Sequence, residues 1–132
     1  MRYMLMMNAP RGTGDYAVSQ WAPAELKAHI AFMHALNKDL KNSGELVTAE
    51  GLASPGEAKL VRVGRNGQPA TDGVFPETKE YLAGFWIVDV DRTERAYEIA
   101  AKVSSAPGPG GKPLVIPVEV RQVMSAPPAT DA

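Results

Sequence analysis

One histidine and one aspartate of this 132-residue chain are the first candidates for acid–base chemistry. His29 lies in a segment with helical periodicity, and Asp72 opens an Asp-Gly dipeptide. An imidazole beside a carboxylate can act as a proton acceptor or donor near neutral pH. We therefore treat His29 and Asp72 as a candidate catalytic pair. A structural role for Asp72 stays open, because the aspartate of an Asp-Gly turn commonly bonds its own backbone.

The chain contains two histidines, and both fall on one predicted amphipathic helix. Its apolar positions recur at steps of three and four: Leu26, Ile30, Met33, Leu36 and Leu40. At 100° per residue, His29 and His34 lie about 140° apart, so they cannot hold a metal ion as an i, i+4 pair does. His29 lies within about 40° of the centre of the apolar stripe and is expected to face the sheet, whereas His34 lies on the flank. A structural core role for His29 remains the alternative to catalysis.

The segment after Asp72 is longer than a simple turn requires. Four of its residues offer aromatic, charged or hydroxyl groups to a polar ligand: Phe75, Glu77, Thr78 and Lys79. Such charges are also typical of a solvated surface, and the threonine could cap a local turn. Any ligand pocket is expected between the helix near His29, the 8–20 loop and this segment.

Composition excludes several classes of protein. The chain has no cysteine, so disulfides, thiolate metal sites and cysteine nucleophiles are absent. A net charge of −1 argues against nucleic-acid binding, which needs a basic surface. Gly12-Thr13-Gly14 lacks the lysine and the spacing of a phosphate-binding loop, and we expect neither a cofactor nor a metal. No apolar run approaches the ~20 residues that span a membrane, and we expect a cytoplasmic protein.

Periodicity and turn signals predict an α+β domain. We expect helices over about 23–42 and 92–103, the second opened by a capping box at Asp91, and strands over 2–7, 45–52, 58–63, 68–71, 85–90 and 118–121. Asn66-Gly67 is a hairpin turn signal. The 76–82 stretch is expected to be an exposed, charged segment.

Two helices beside one main antiparallel sheet predict a ferredoxin-like fold. The helices can cover only one face of the sheet, yet the strands at 2–7 and 85–90 are apolar on both faces. We therefore expect a homodimer that buries the second face, including Phe85 or Trp86. The domain is expected to span 1–123, followed by a disordered Pro-rich tail over 124–132.

The sequence also resembles a known family. Thr71 to Glu80 and Gly84 to Val90 are similar to the signature of the YCII-related family, in particular its Asp-Gly-Pro-Phe (DGPF) branch. Other pieces of the resemblance are Arg2 to Leu5, Gly44 to Val47, Glu50 to Leu52 and Val118 to Arg121. Val74 departs from the pattern, which has proline there. The resemblance implies a dimeric α+β barrel, in which the sheets of two copies pack face to face.

For function, the resemblance leaves three alternatives open. The first is a small dimeric protein that binds a small polar ligand near the Asp72 loop. The second is a non-catalytic regulatory module, because some relatives are associated with extracytoplasmic-function sigma factors. The third is a small-molecule enzyme that uses a histidine–aspartate acid–base pair.

Overall fold

The computed structural model describes residues 1–10, 21–53, 55–71 and 80–124. Within these ranges the chain forms an α+β fold with two α-helices and an antiparallel sheet. The elements in chain order are β1 (Arg2–Pro10), α1 (Pro23–Asn42), β2 (Leu46–Gly51), β3 (Val61–Val63), β4 (Pro69–Thr71), β5 (Glu80–Asp89), α2 (Thr93–Ser104) and β6 (Val118–Gln122). Neither described helix is long and apolar enough to cross a membrane.

The main sheet has the strand order β2-β5-β1-β6, and its hydrogen-bonded neighbours are antiparallel. β1 is therefore internal, as its apolar residues on both faces predict. β6 is an edge strand, which agrees with Pro117 directly before it. Leu5 pairs with Trp86 on β5 and with Val120 on β6. The sheet is open rather than closed into a barrel.

Both helices pack on one face of this sheet. Alternate residues of the two internal strands are buried there: Tyr3, Leu5, Met7, Ala9, Trp86 and Val88. α2 contributes Ala96, Ile99, Ala100 and Val103 to the core, and α1 contributes Leu36 and Leu40. This period of two in the strands and of three to four in the helices places the core between the layers.

The first helix begins and ends where its sequence predicts. Pro23 occupies the first helical position, and Gly44 follows the helix with φ of 79°, a left-handed conformation that favours glycine. The buried part of its apolar stripe is shorter than predicted. Leu36 and Leu40 are buried, whereas Ile30 is 44% exposed, because α1 faces the core mainly with its second half.

The start of the second helix differs from the prediction. Its N-cap residue is Arg92, not Asp91, and no side chain caps the helix. A 2.6 Å hydrogen bond between the Tyr3 hydroxyl and Oγ1 of Thr93 instead connects the first residue of the helix to β1. The predicted Asp91 capping box was wrong, because the chain enters the helix one residue later.

β5 is longer than predicted and faces two environments. It begins at Glu80 rather than 85, so residues 80–82, which we expected in an exposed charged segment, belong to the strand, and Tyr81 and Leu82 are partly buried. Trp86 lies on the helix-covered face, whereas Phe85 and Ile87 lie on the other face and are partly exposed. Met4 and Met6 of β1 lie beside them. We call these four partly exposed residues the open face of the sheet.

The Asn66-Gly67 signal produces a turn between two short strands, as predicted. Asn66 and Gly67 have φ of 64° and 75°, and β3 pairs with β4 in a separate two-stranded sheet. Both strands are exposed throughout, and Val63 is 80% exposed.

Candidate functional site

His29 is held by the loop that follows α2. Its Nδ1 lies 3.0 Å from the carbonyl oxygen of Pro107. Its ring and the Trp21 ring form a T-shaped pair, with a centroid distance of 5.3 Å and an interplanar angle of 81°. His29 is partly buried, and His34 is exposed. The helical geometry therefore correctly predicts which of the two histidines is the more buried.

The Pro107 contact defines the tautomer of the imidazole. A carbonyl oxygen only accepts hydrogen bonds, so Nδ1 of His29 must carry the proton. In the neutral ring, Nε2 then has a free lone pair. No hydrogen bond occupies Nε2 within the described part of the chain. The ring can accept a hydrogen bond, or a proton, from a molecule beside it.

A second contact secures the same loop one helical turn earlier. The Glu25 carboxylate accepts hydrogen bonds from the backbone N–H groups of Ala22 and Gly110. These bonds lower the pKa of Glu25, the Gly110 bond contributing most. Glu25 and His29 are four positions apart and share one face of α1. Together they attach the 107–110 loop to the helix.

A cleft of about 220 Å³ opens beside His29. One wall is formed by His29, Met33 and Asn37, which are spaced four apart on α1. The floor is the sheet, mainly Met7, Ala83 and Trp86, with the end of β2 at one side. The exposed lining is mostly apolar. Such a surface with a few polar groups is typical of a site for small molecules.

Asn37 contributes a polar group of fixed orientation. The indole N–H of Trp86 donates to Oδ1 of Asn37 over 2.8 Å. An indole nitrogen only donates, so the amide oxygen must face it. The amide nitrogen is thereby turned away from Trp86, and no hydrogen bond involves it among the described residues.

Gly84 allows the two strands at the cleft floor to approach closely. A Cβ atom at this position would lie 2.9 Å from the carbonyl oxygen of Glu50, a contact that the backbone cannot relieve without moving. Gly51, its partner in the ladder, has nothing within 4 Å of such an atom. The glycine at 84 is therefore a packing requirement of the cleft.

Of the residues predicted for the site, the structure describes His29 alone. Asp72, Phe75, Glu77, Thr78 and Lys79 lie outside the described residues, as do 11–20 of the predicted loop. Sequence reasoning missed Asn37 and Met33 as lining residues. Their spacing from His29, eight positions for Asn37 and four for Met33, is the signal that indicates a shared helix face.

A different polar cluster lies at the opposite end of the sheet. Arg95 of α2 donates to Glu45 through Nε at 2.8 Å and Nη2 at 2.9 Å. This pairing lowers the pKa of Glu45 to about 2 and raises that of Arg95. The cluster ties α2 to the start of β2 and has a structural explanation. Within the described residues, no group of three or more histidines, aspartates or glutamates could hold a metal ion.

The family of the chain follows from its similarity to known proteins. No curated protein shows a significant match to the chain. The model of the YCII-related domain matches residues 1–108, which include β1 to β5, α2 and the His29 cleft. This match covers more than half of the 132 residues. The chain therefore belongs to the YCII-related domain family.

Proposed function

We propose that this protein binds a small molecule in the cleft beside His29. The observation that carries the proposal is His29, which lines a mostly apolar cleft with its Nδ1 bonded to Pro107 and its Nε2 without a hydrogen bond in the described part of the chain. A core histidine is normally hydrogen-bonded through both nitrogens or packed on all sides. His29 is neither within the described structure, which favours a ligand over a purely structural role.

The Asp72 segment is proposed to complete this site. Pro10 and Glu80 pair with each other at the cleft end of the sheet, and residues 72–79 continue the chain from Glu80. This connectivity supports a placement of Asp72 near His29, with the polar residues of the segment in contact with ligand: Phe75, Glu77, Thr78 and Lys79. On the same residues, we place the chain in the DGPF branch of its family.

Catalysis is the second candidate function, and the tautomer of His29 favours it. An unprotonated Nε2 is the atom that a general base would use, and Asp72 would be its acid–base partner. Substituting Asp72→Asn should then change the ¹⁵N chemical shifts of His29 in the folded protein. Unchanged chemical shifts would contradict an acid–base pair of His29 and Asp72, and ligand binding without catalysis would then be the favoured function.

The open face of the sheet supports a homodimer. Met4, Met6, Phe85 and Ile87 form an apolar surface on the side away from both helices. The strand order β2-β5-β1-β6 also fits a ferredoxin-like fold. We propose that two such sheets pack face to face as a dimeric α+β barrel. The lack of cysteine fits the reducing cytoplasm, where we place the protein.

The same apolar face is what a regulatory module would use to bind a sigma factor. Light scattering distinguishes the two occupants, because a dimer is visible with the purified protein alone. A purified chain that is monomeric and captures a sigma factor through this face would favour the regulatory alternative.

Ligand binding is tested with a screen of small fragments by nuclear magnetic resonance. Phenols, anilines, carboxylic acids and ketones of one ring are the probes. Ala83→Leu fills the cleft, and Ala101→Leu adds the same atoms to an exposed position of α2. We expect hits that perturb cleft residues, are lost in the first variant and persist in the second. The proposal is overturned if no probe perturbs the cleft, or if filling it leaves binding unchanged.

A further inference from the structure

Two polar groups of the cleft have no hydrogen-bond partner among the described residues, and one of them accepts hydrogen bonds whereas the other donates them. Nε2 of His29 accepts, because Nδ1 donates to Pro107. Nδ2 of Asn37 donates, because Oδ1 accepts from Trp86. These donor and acceptor assignments follow from the partners, because a carbonyl oxygen can only accept a hydrogen bond and an indole N–H can only donate one. A ligand that satisfies both must donate at one end and accept at the other.

The helix sets the distance between these groups. His29 and Asn37 are eight positions apart, which is about 12 Å along the axis at 1.5 Å per residue. Both side chains tilt in the same direction along the axis, and the rotation of about 80° between them adds to their separation, so about 12 Å is its lower bound. A hydrogen bond of about 2.9 Å at each end leaves at least about 6 Å between the ligand's donor and acceptor atoms. On a single six-membered ring, only substituents on opposite sides of the ring come near that span.

The surface between the two polar groups is apolar. Met33 lies between them on α1, and Met7 and Trp86 form the floor below. Methionine and tryptophan pack well against aromatic rings. The volume of about 220 Å³ is below the range of about 300–1,000 Å³ that holds drug-sized ligands. The cleft therefore suits a single ring rather than a larger molecule.

We propose that the cleft selects a one-ring molecule with a hydroxyl that donates to His29 and a carbonyl on the opposite side that accepts from Asn37. This inference rests on the proposed function, because it names the class of ligand for the same site. Met33 and Trp86 hold the ring, and the two polar residues determine its orientation. Ring compounds that lack either group bind more weakly.

Three probes of similar size test the rule without any change to the protein. 4-Hydroxyacetophenone carries both groups, 4-methoxyacetophenone lacks the donor, and 4-ethylphenol lacks the carbonyl. Dissociation constants are measured by chemical-shift titration of the cleft residues. We expect 4-hydroxyacetophenone to bind tightest, and the loss of either group to weaken binding about two- to tenfold. Equal affinities for all three probes would overturn the proposal.

Two variants identify the residue that each group contacts. His29→Phe removes the acceptor, and Asn37→Asp keeps an oxygen for Trp86 but replaces the amide donor. His34→Phe and Asn42→Asp are the matched controls, because both residues are exposed on the same helix. In His29→Phe, the advantage of hydroxyl over methoxy should disappear. In Asn37→Asp, the advantage of the ketone over the ethyl group should disappear, and neither control should alter these differences.

The outcomes separate this inference from the proposed function. If fragments of other chemistry bind in the cleft while 4-hydroxyacetophenone has no advantage, the ligand class is wrong and the binding site stands. If no probe of any class perturbs the cleft, both proposals fail. The assignment of the two residues would also be overturned if His29→Phe still bound the hydroxyl probe more tightly than the methoxy probe. The same holds if Asn37→Asp still bound the ketone more tightly than the ethyl compound.

Discussion

The carboxylate of Glu45 and the guanidinium of Arg95 form a two-bond ion pair between the start of β2 and α2. Their side chains are only 17% and 28% exposed, and Arg95 also contacts Glu98 at 3.2 Å. Planar, two-bond pairs of this kind are stronger than single contacts, and partial burial limits screening by salt. The pair therefore holds α2 to the edge strand β2 at the end of the sheet remote from His29.

This pair makes stability depend on pH. The folded pKa of Glu45 is about 2, below its ordinary value of 4.5, so its contribution is complete above pH 4.5 and is lost as the pH falls toward 2. Glu45→Gln should lower the free energy of unfolding by roughly 2 kcal/mol at pH 7. The difference from wild type should shrink in urea melts at lower pH. Asp39→Asn, at an exposed position, is the control. A constant difference from pH 7 to 2 would contradict this account.

Two isoleucines, one on each helix, test the location of the core. Ile99 of α2 is 0% exposed, whereas Ile30 of α1 is 44% exposed. Ile99→Ala should cost about 2–5 kcal/mol of unfolding free energy, since it removes buried methyl groups and leaves a cavity. Ile30→Ala should cost under about 1 kcal/mol. Chemical denaturation of both variants measures the contrast, and similar losses would show that the first half of α1 is buried.

Gly84 and Gly51 provide a matched pair at the cleft floor. Gly84→Ala places a methyl group against the Glu50 carbonyl and should destabilise the protein by about 1–3 kcal/mol. Gly51→Ala has open space and should change stability little. Thermal melts of the two variants measure the difference. If both tolerate alanine equally, β2 and β5 are farther apart than the structure shows.

The open face predicts the behaviour of a charged variant. Ile87→Lys puts an ammonium group among Met4, Met6 and Phe85, so it should convert a dimer to a monomer in light-scattering measurements. Val63→Lys adds the same charge to the exposed β3–β4 hairpin and should leave the mass unchanged. A wild-type protein that is monomeric at micromolar concentration, or an Ile87→Lys variant that stays dimeric, would contradict the face-to-face arrangement.

Local signals in the sequence predict most of the fold. The apolar residues of β1, the Asn66-Gly67 turn and the Gly44 cap each depend on a few neighbouring residues, and the structure confirms them. The start of β5 at Glu80 could not be predicted this way. The strand opens on the charged Glu80, and the pairing of Glu80 and Tyr81 with Pro10 and Ala9 involves a strand far away in the chain.

The candidate site was only partly predictable for the same reason. Helical periodicity indicates the direction of His29, because it depends on residues within a few turns. Its contact with Pro107 joins residues 78 positions apart, and the Trp86–Asn37 bond spans 49. No local pattern contains such pairs. The proposed role of Asp72 stays a prediction, because that residue lies outside the described structure.

The protonated nitrogen of His29 is the most direct test of the central claim that this ring presents an acceptor to the cleft. Long-range ¹H–¹⁵N spectra distinguish the two ring nitrogens, and His34 in the same sample is an internal reference. In the neutral ring of His29, we expect a proton on Nδ1 and an unprotonated Nε2. A proton on Nε2 instead would contradict the Pro107 hydrogen bond, and with it the acceptor on which the proposed ligand site depends.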